Sequence, residues 1–87
     1  MKNELSIPEL EKLKVMTEAF ERKTLCETAV GKISGGFAVA DMFNYDDDYI
    51  DIELKWGIQN ECEDNIHTER YKINRRKPLD EWEYEDA

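Results

Sequence analysis

Cys62 and His67 are the residues whose types suit nucleophilic catalysis, in which a thiolate attacks and a nearby imidazole takes its proton. Nothing in their spacing enforces that contact, and the single histidine falls in a stretch that reads as a strand surface. General acid–base work needs one carboxyl with a raised pKa in a dry pocket. The densest carboxylate group, Asp46-Asp47-Asp48, stands in a polar connection, which is the opposite environment. Gly31, Gly35 and Gly36 fit neither a dinucleotide-binding nor a P-loop spacing. The sequence therefore reads as a non-enzyme.

Metal chemistry is as poorly supplied. Asn44, Asp46 and Asp48 match the first alternating ligands of a calcium-binding loop. Its glycine position, however, holds Tyr49, and its closing glutamate position holds Lys55. Cys26, Cys62 and His67 are a short set for zinc and contain no close ligand pair. The expectation is no metal and no cofactor, with both cysteines as ordinary buried or half-buried thiols of a reducing compartment.

Binding chemistry is better represented. Residues 40–87 hold fifteen acidic and six basic side chains, whereas residues 1–39 hold six of each, so the net charge of −9 lies in the second half. Asp46, Asp47 and Asp48 lead into Tyr49, Asp51 and Glu53, which share one strand face at roughly 6.6 Å intervals. Such a row, held rigidly, would imitate a phosphate backbone and attract a basic surface. Trp82 and Tyr84 stand among Asp80, Glu81, Glu83, Glu85 and Asp86, an aromatic pair in an acidic tail suited to anchoring a partner. The basic run Arg70, Lys72, Arg75, Arg76 and Lys77 faces an acidic excess. It is expected to pair with the acidic row or with a partner's carboxylates, and direct nucleic-acid binding is disfavoured.

These residues need a scaffold, and 87 residues supply one small domain that buries about 60–65% of its unfolded surface. Ser6-Ile7-Pro8-Glu9 carries a capping box with proline in the first turn. Leu10, Leu13, Met16 and Phe20 continue as one stripe, which predicts a helix over residues 7–22. Strands are expected near 25–33, 37–44, 49–56 and 66–73, with a turn at Ser34-Gly35-Gly36 and a polar loop from Gly57 to Asn65. The span 49–56 is the clearest, because Ile50, Ile52, Leu54 and Trp56 alternate without exception against Tyr49, Asp51, Glu53 and Lys55. The span 66–73 has no cleanly apolar face and reads as a sheet edge. The tail 78–87 shows no regular pattern. The fold class is α+β, an N-terminal helix packed on a three- to four-stranded antiparallel β-meander.

No apolar run has the length of a membrane span, and the chain reads as cytoplasmic. The expected function is an inhibitor-type binding protein that occupies a basic, nucleic-acid-binding surface of a partner such as a nuclease or CRISPR effector. Phage anti-defence proteins (anti-CRISPR or anti-restriction) and nuclease immunity proteins work in this way. The alternative is a non-inhibitory assembly module, a homodimer joined through the edge strand 66–73.

Overall fold

A computed structural model describes residues 4–28, 30–59 and 64–87. Helix α1, Ile7–Thr28, opens with the expected capping box. Ser6 N donates to Glu9 Oε1 at 2.9 Å, and Glu9 N donates to Ser6 Oγ at 3.3 Å. The expected strand at 25–33 is overturned: the helix runs on to Thr28, and Val30–Lys32 forms a 3-10 turn. The threonines explain the difference. Thr17, Thr24 and Thr28 each donate a hydroxyl hydrogen bond to the carbonyl four residues back, so these weak helix formers sit in the helix with their polar groups satisfied. The apolar stripe is narrower than its spacing suggests, with Leu13 buried and Leu10 exposed. Cys26 is exposed on this helix, contrary to the expected burial, and Cys62 lies outside the described residues.

Strands β1 (Gly36–Tyr45), β2 (Tyr49–Gln59), β3 (Asp64–Asn74) and β4 (Glu85–Asp86) form one antiparallel sheet in sequence order. Gly36 is confined to glycine, since a Cβ there would lie 1.6 Å from the Val30 carbonyl oxygen. The alternation of β2 holds: Ile50, Ile52 and Leu54 are buried. Of the polar loop expected from Gly57 to Asn65, the described residues are strand, since β2 continues to Gln59 and β3 begins at Asp64; residues 60–63 lie outside the described residues. Gly57 permits this at φ 149°, where a Cβ would stand 2.0 Å from the Asn65 carbonyl oxygen.

The helix covers one face of the sheet. Leu13, Ile50, Ile52, Ile73 and Trp82 form the core, with Met16, Tyr45, Leu79 and Tyr84 packed around it. Burial of such side chains stabilises by about 1.5–3 kcal/mol each. The tail, which shows no regular pattern in the sequence, folds onto the sheet: Leu79–Glu81 is a 3-10 turn and β4 pairs with Tyr71 and Lys72 of β3. Trp82 is 7% exposed and donates Nε1–H to the Lys77 carbonyl at 2.9 Å. It fastens the tail to the core and is not an exposed anchor for a partner. The other sheet face carries no helix and leaves Val39, Phe43 and Ile66 exposed. Among the described residues, no helix is long and apolar enough to cross a membrane.

Candidate functional site

The hairpin between β1 and β2 brings Asp46, Asp47 and Asp48 together, and its geometry assigns structural work to two of them. Asp46 Oδ1 accepts the backbone N–H groups of Asp48 at 2.8 Å and Tyr49 at 2.7 Å, so this side chain closes the turn. Arg76 Nε lies 2.8 Å from Asp48 Oδ1, while Arg75 Nη1 donates to the Asp46 carbonyl at 2.7 Å. Asp47 lies within electrostatic range of Arg75 and helps hold that guanidinium charged, after the larger effect of Glu9.

The row continuing along β2 is no unbroken acidic strip. Antiparallel register sets Lys72 opposite Asp51 and Arg70 opposite Glu53. Arg70 Nη2 lies 3.2 Å from Glu53 Oε2, Lys55 Nζ lies 3.5 Å from Glu53 Oε1, and Lys72 Nζ stands 4.7 Å from the Tyr49 ring centre. Arg70 also covers the Phe43 ring at 4.9 Å. Of the basic run, Arg70 and Arg76 pair with the acidic row inside the fold, as expected, while Arg75 pairs with Glu9 and Lys77 with Glu83. Asp51, Glu53 and Tyr49 belong to a mixed-charge ladder on the bare face.

A second surface lies between α1 and β3. Met16, Ala19, Phe20 and Lys23 recur at helical spacing and face Tyr71 and Tyr84 across an open groove of about 460 Å³. The rings touch: Phe20 lies 4.4 Å from Tyr84 and 5.4 Å from Tyr71, centre to centre. Burial pushes the Tyr84 phenol up to about 12, with the Glu21 charge adding to the effect. Its hydroxyl is buried, with no hydrogen-bond partner among the described residues. Tyr71 is raised first by burial, then by the charge and hydrogen bond of Glu69 and by the charge of Asp86. Glu69 also accepts the Trp56 indole N–H at 2.9 Å, and His67 stacks on that indole at 4.4 Å.

Glu21, Glu69 and Asp86 thus surround an aromatic groove whose lining contains one cation, Lys23. Of the two tail aromatics, Tyr84 lines this groove and Trp82 does not. Reading along the chain did not single out Phe20, Tyr71 or Glu69. Phe20 looked like the end of a core stripe, and Tyr71 lay on a strand with no apolar face. The alternation of His67, Glu69, Tyr71 and Ile73 was the available signal, since it puts all four on the helix side. Among the described residues, no group of three or more His, Cys, Asp or Glu side chains is placed to hold a metal. The arrangement offers aromatic contact area beside negative charge. Comparison with known proteins finds no match to this chain among family models, curated proteins or solved structures.

Proposed function

We propose that this is a non-catalytic binding protein that seats the acidic side around Tyr84 on a basic surface of another protein. It would act in the manner of small inhibitors that occupy the nucleic-acid-binding surface of a nuclease, a CRISPR effector or a related target. The observation that carries the reading is the aromatic groove of Phe20, Tyr71 and Tyr84 ringed by Glu21, Glu69 and Asp86. Aromatic rings offer large contact area at small entropic cost, and carboxylates beside them steer a cationic partner into register. The hairpin carboxylates are a weaker docking surface, because Arg70, Lys55 and Arg76 already compensate Glu53 and Asp48.

The test is capture of a basic partner from the source cell at low salt, followed by washes of rising ionic strength. The partner is expected to elute as salt screens the contact, and nucleic acid is expected to compete for it. The double variant Glu69→Gln, Asp86→Asn should lose capture, while Asp47→Asn with Asp51→Asn should keep most of it. Capture indifferent to salt and to the first variant would overturn the reading.

A further inference from the structure

The two outer edges of the sheet are treated differently by the rest of the chain. On β1, the outward N–H of Ala40 is taken up by Glu21 Oε2 of α1 at 2.8 Å, and the ladder is irregular between Met42 and Asn44. A side-chain cap and a bulge are two devices that close an edge to further pairing. On β3, pairing with β4 covers Tyr71 and Lys72 alone. Antiparallel strands turn the N–H and C=O of alternate residues to opposite sides. Arg75 N donates toward β2, to the Asp48 carbonyl at 2.8 Å, and the β2–β3 register is unbroken. The backbone groups of Ile66 and Thr68 therefore point away from β2, and no described strand pairs with them, whereas the register of β4 sets Ala87 opposite Arg70.

We infer that this open edge of β3, over 66–69, receives an extended basic segment of the partner as an added strand in line with β4. The inference rests on the proposed function and names its mode of docking. Charge complementarity selects the occupant. A residue of the added strand opposite Glu69 shares the helix-side face with Tyr71 and the groove, where Glu69 and Asp86 favour lysine or arginine. A residue opposite Ile66 shares the bare face, where that side chain is 40% exposed and favours an apolar neighbour. The segment that fits alternates basic and apolar side chains, with main-chain hydrogen bonds supplying affinity and alternate side chains supplying selectivity. A second copy of this chain carries net charge −9 and is repelled.

The experiment uses the full chain and three short end-blocked peptides. One alternates lysine and valine, one alternates glutamate and valine, and one is the lysine–valine peptide N-methylated on the amides that face the edge. Amide hydrogen exchange of Ile66 and Thr68 is followed by NMR at low salt. The lysine–valine peptide is expected to slow exchange at these amides about tenfold when present at about ten times its Kd. The other two peptides should leave it unchanged. Thr68→Pro deletes an outward donor while sparing the ladder to β2, and should abolish the slowing. Equal slowing by the N-methylated or glutamate peptide, or binding that leaves these amides untouched, overturns the inference. Protection that grows with protein concentration alone gives the edge to a second copy and overturns it as well. A silent edge with salt-sensitive partner capture intact would leave the proposed function standing and remove this docking mode.

Discussion

Glu9, in the first turn of α1, and Arg75, just after β3, meet across 66 residues in a two-pronged ion pair. Arg75 Nε lies 3.0 Å from Glu9 Oε2, and Nη2 donates to Oε1 at 3.0 Å. The Arg75 side chain is 8% exposed. The fork fixes the helix start against the end of the sheet while Nη1 holds the Asp46 turn.

Removing either partner leaves the other charge partly desolvated. Arg75→Ala is expected to lower stability by about 1.5–3 kcal/mol, measured by urea unfolding, with Arg75→Lys intermediate because it lacks the fork. The hydrogen bond from Arg75 holds the Glu9 carboxyl below its ordinary range. The stabilisation is therefore complete above the unfolded carboxyl value of about 4.3, and it fades as pH falls through the lower folded value. Glu9→Gln should flatten the acid limb of the stability profile; an unchanged limb would refute the assignment.

Trp82 is expected to matter for folding before it matters for binding. Trp82→Ala empties part of the core and should cost about 3–5 kcal/mol, a large share of the stability of so small a domain. Trp82→Phe keeps most of the volume, loses the bond to the Lys77 carbonyl and should cost about 1 kcal/mol. Thermal melts of both variants decide the point.

Tyr84→Phe should stabilise the protein. It removes a buried hydroxyl that has no partner among the described residues, and the gain is expected near 1 kcal/mol. The wild-type phenol titrates up at about 12, so its neutral form stabilises the fold below the ordinary value near 10. That contribution is lost as pH rises through the folded value. Absorbance titration should show two tyrosines ionising above the ordinary value, Tyr71 and Tyr84, of which the variant lacks one, and the variant should lose less stability at alkaline pH.

Gly57→Ala should destabilise by about 1–3 kcal/mol, since a side chain at φ 149° is strained and its Cβ would overlap the Asn65 carbonyl. Neighbouring Ile58→Val, on the same strand, should cost less. Urea midpoints of the two variants test the ordering.

The layout of the fold was legible where one physical signal acted alone. Strict alternation from Tyr49 to Trp56 located β2, and the Ser6–Glu9 box located the helix start to the residue. It failed where local preference yielded to a contact distant in sequence. Thr24 and Thr28 look like strand residues until their hydroxyls find helix carbonyls. Trp82 looks like a free anchor until its indole meets Leu13, Ile50, Ile52 and Ile73. The acidic row looked continuous because composition along the chain does not reveal that Arg70 and Lys72 stand opposite Glu53 and Asp51. The groove was hidden for the same reason, since Phe20, Tyr71 and Tyr84 come from three separate elements.

The off-centre position of the core has a mechanical consequence. The molecule measures 45 × 23 × 21 Å, and Ile50, Ile52 and Ile73 cluster where β2 begins and β3 ends. The opposite end of that hairpin, around Gln59 and Asn65, stands away from this ballast and is held by its own ladder, by β1 pairing at Gly36 and Ile58, and by the Gln59 N–H bond to the Gly35 carbonyl at 2.9 Å. Heat or denaturant should unzip it from that tip inward, with Ile50 and Ile73 the last rungs to part, so the domain loosens by degrees along its long axis before it melts.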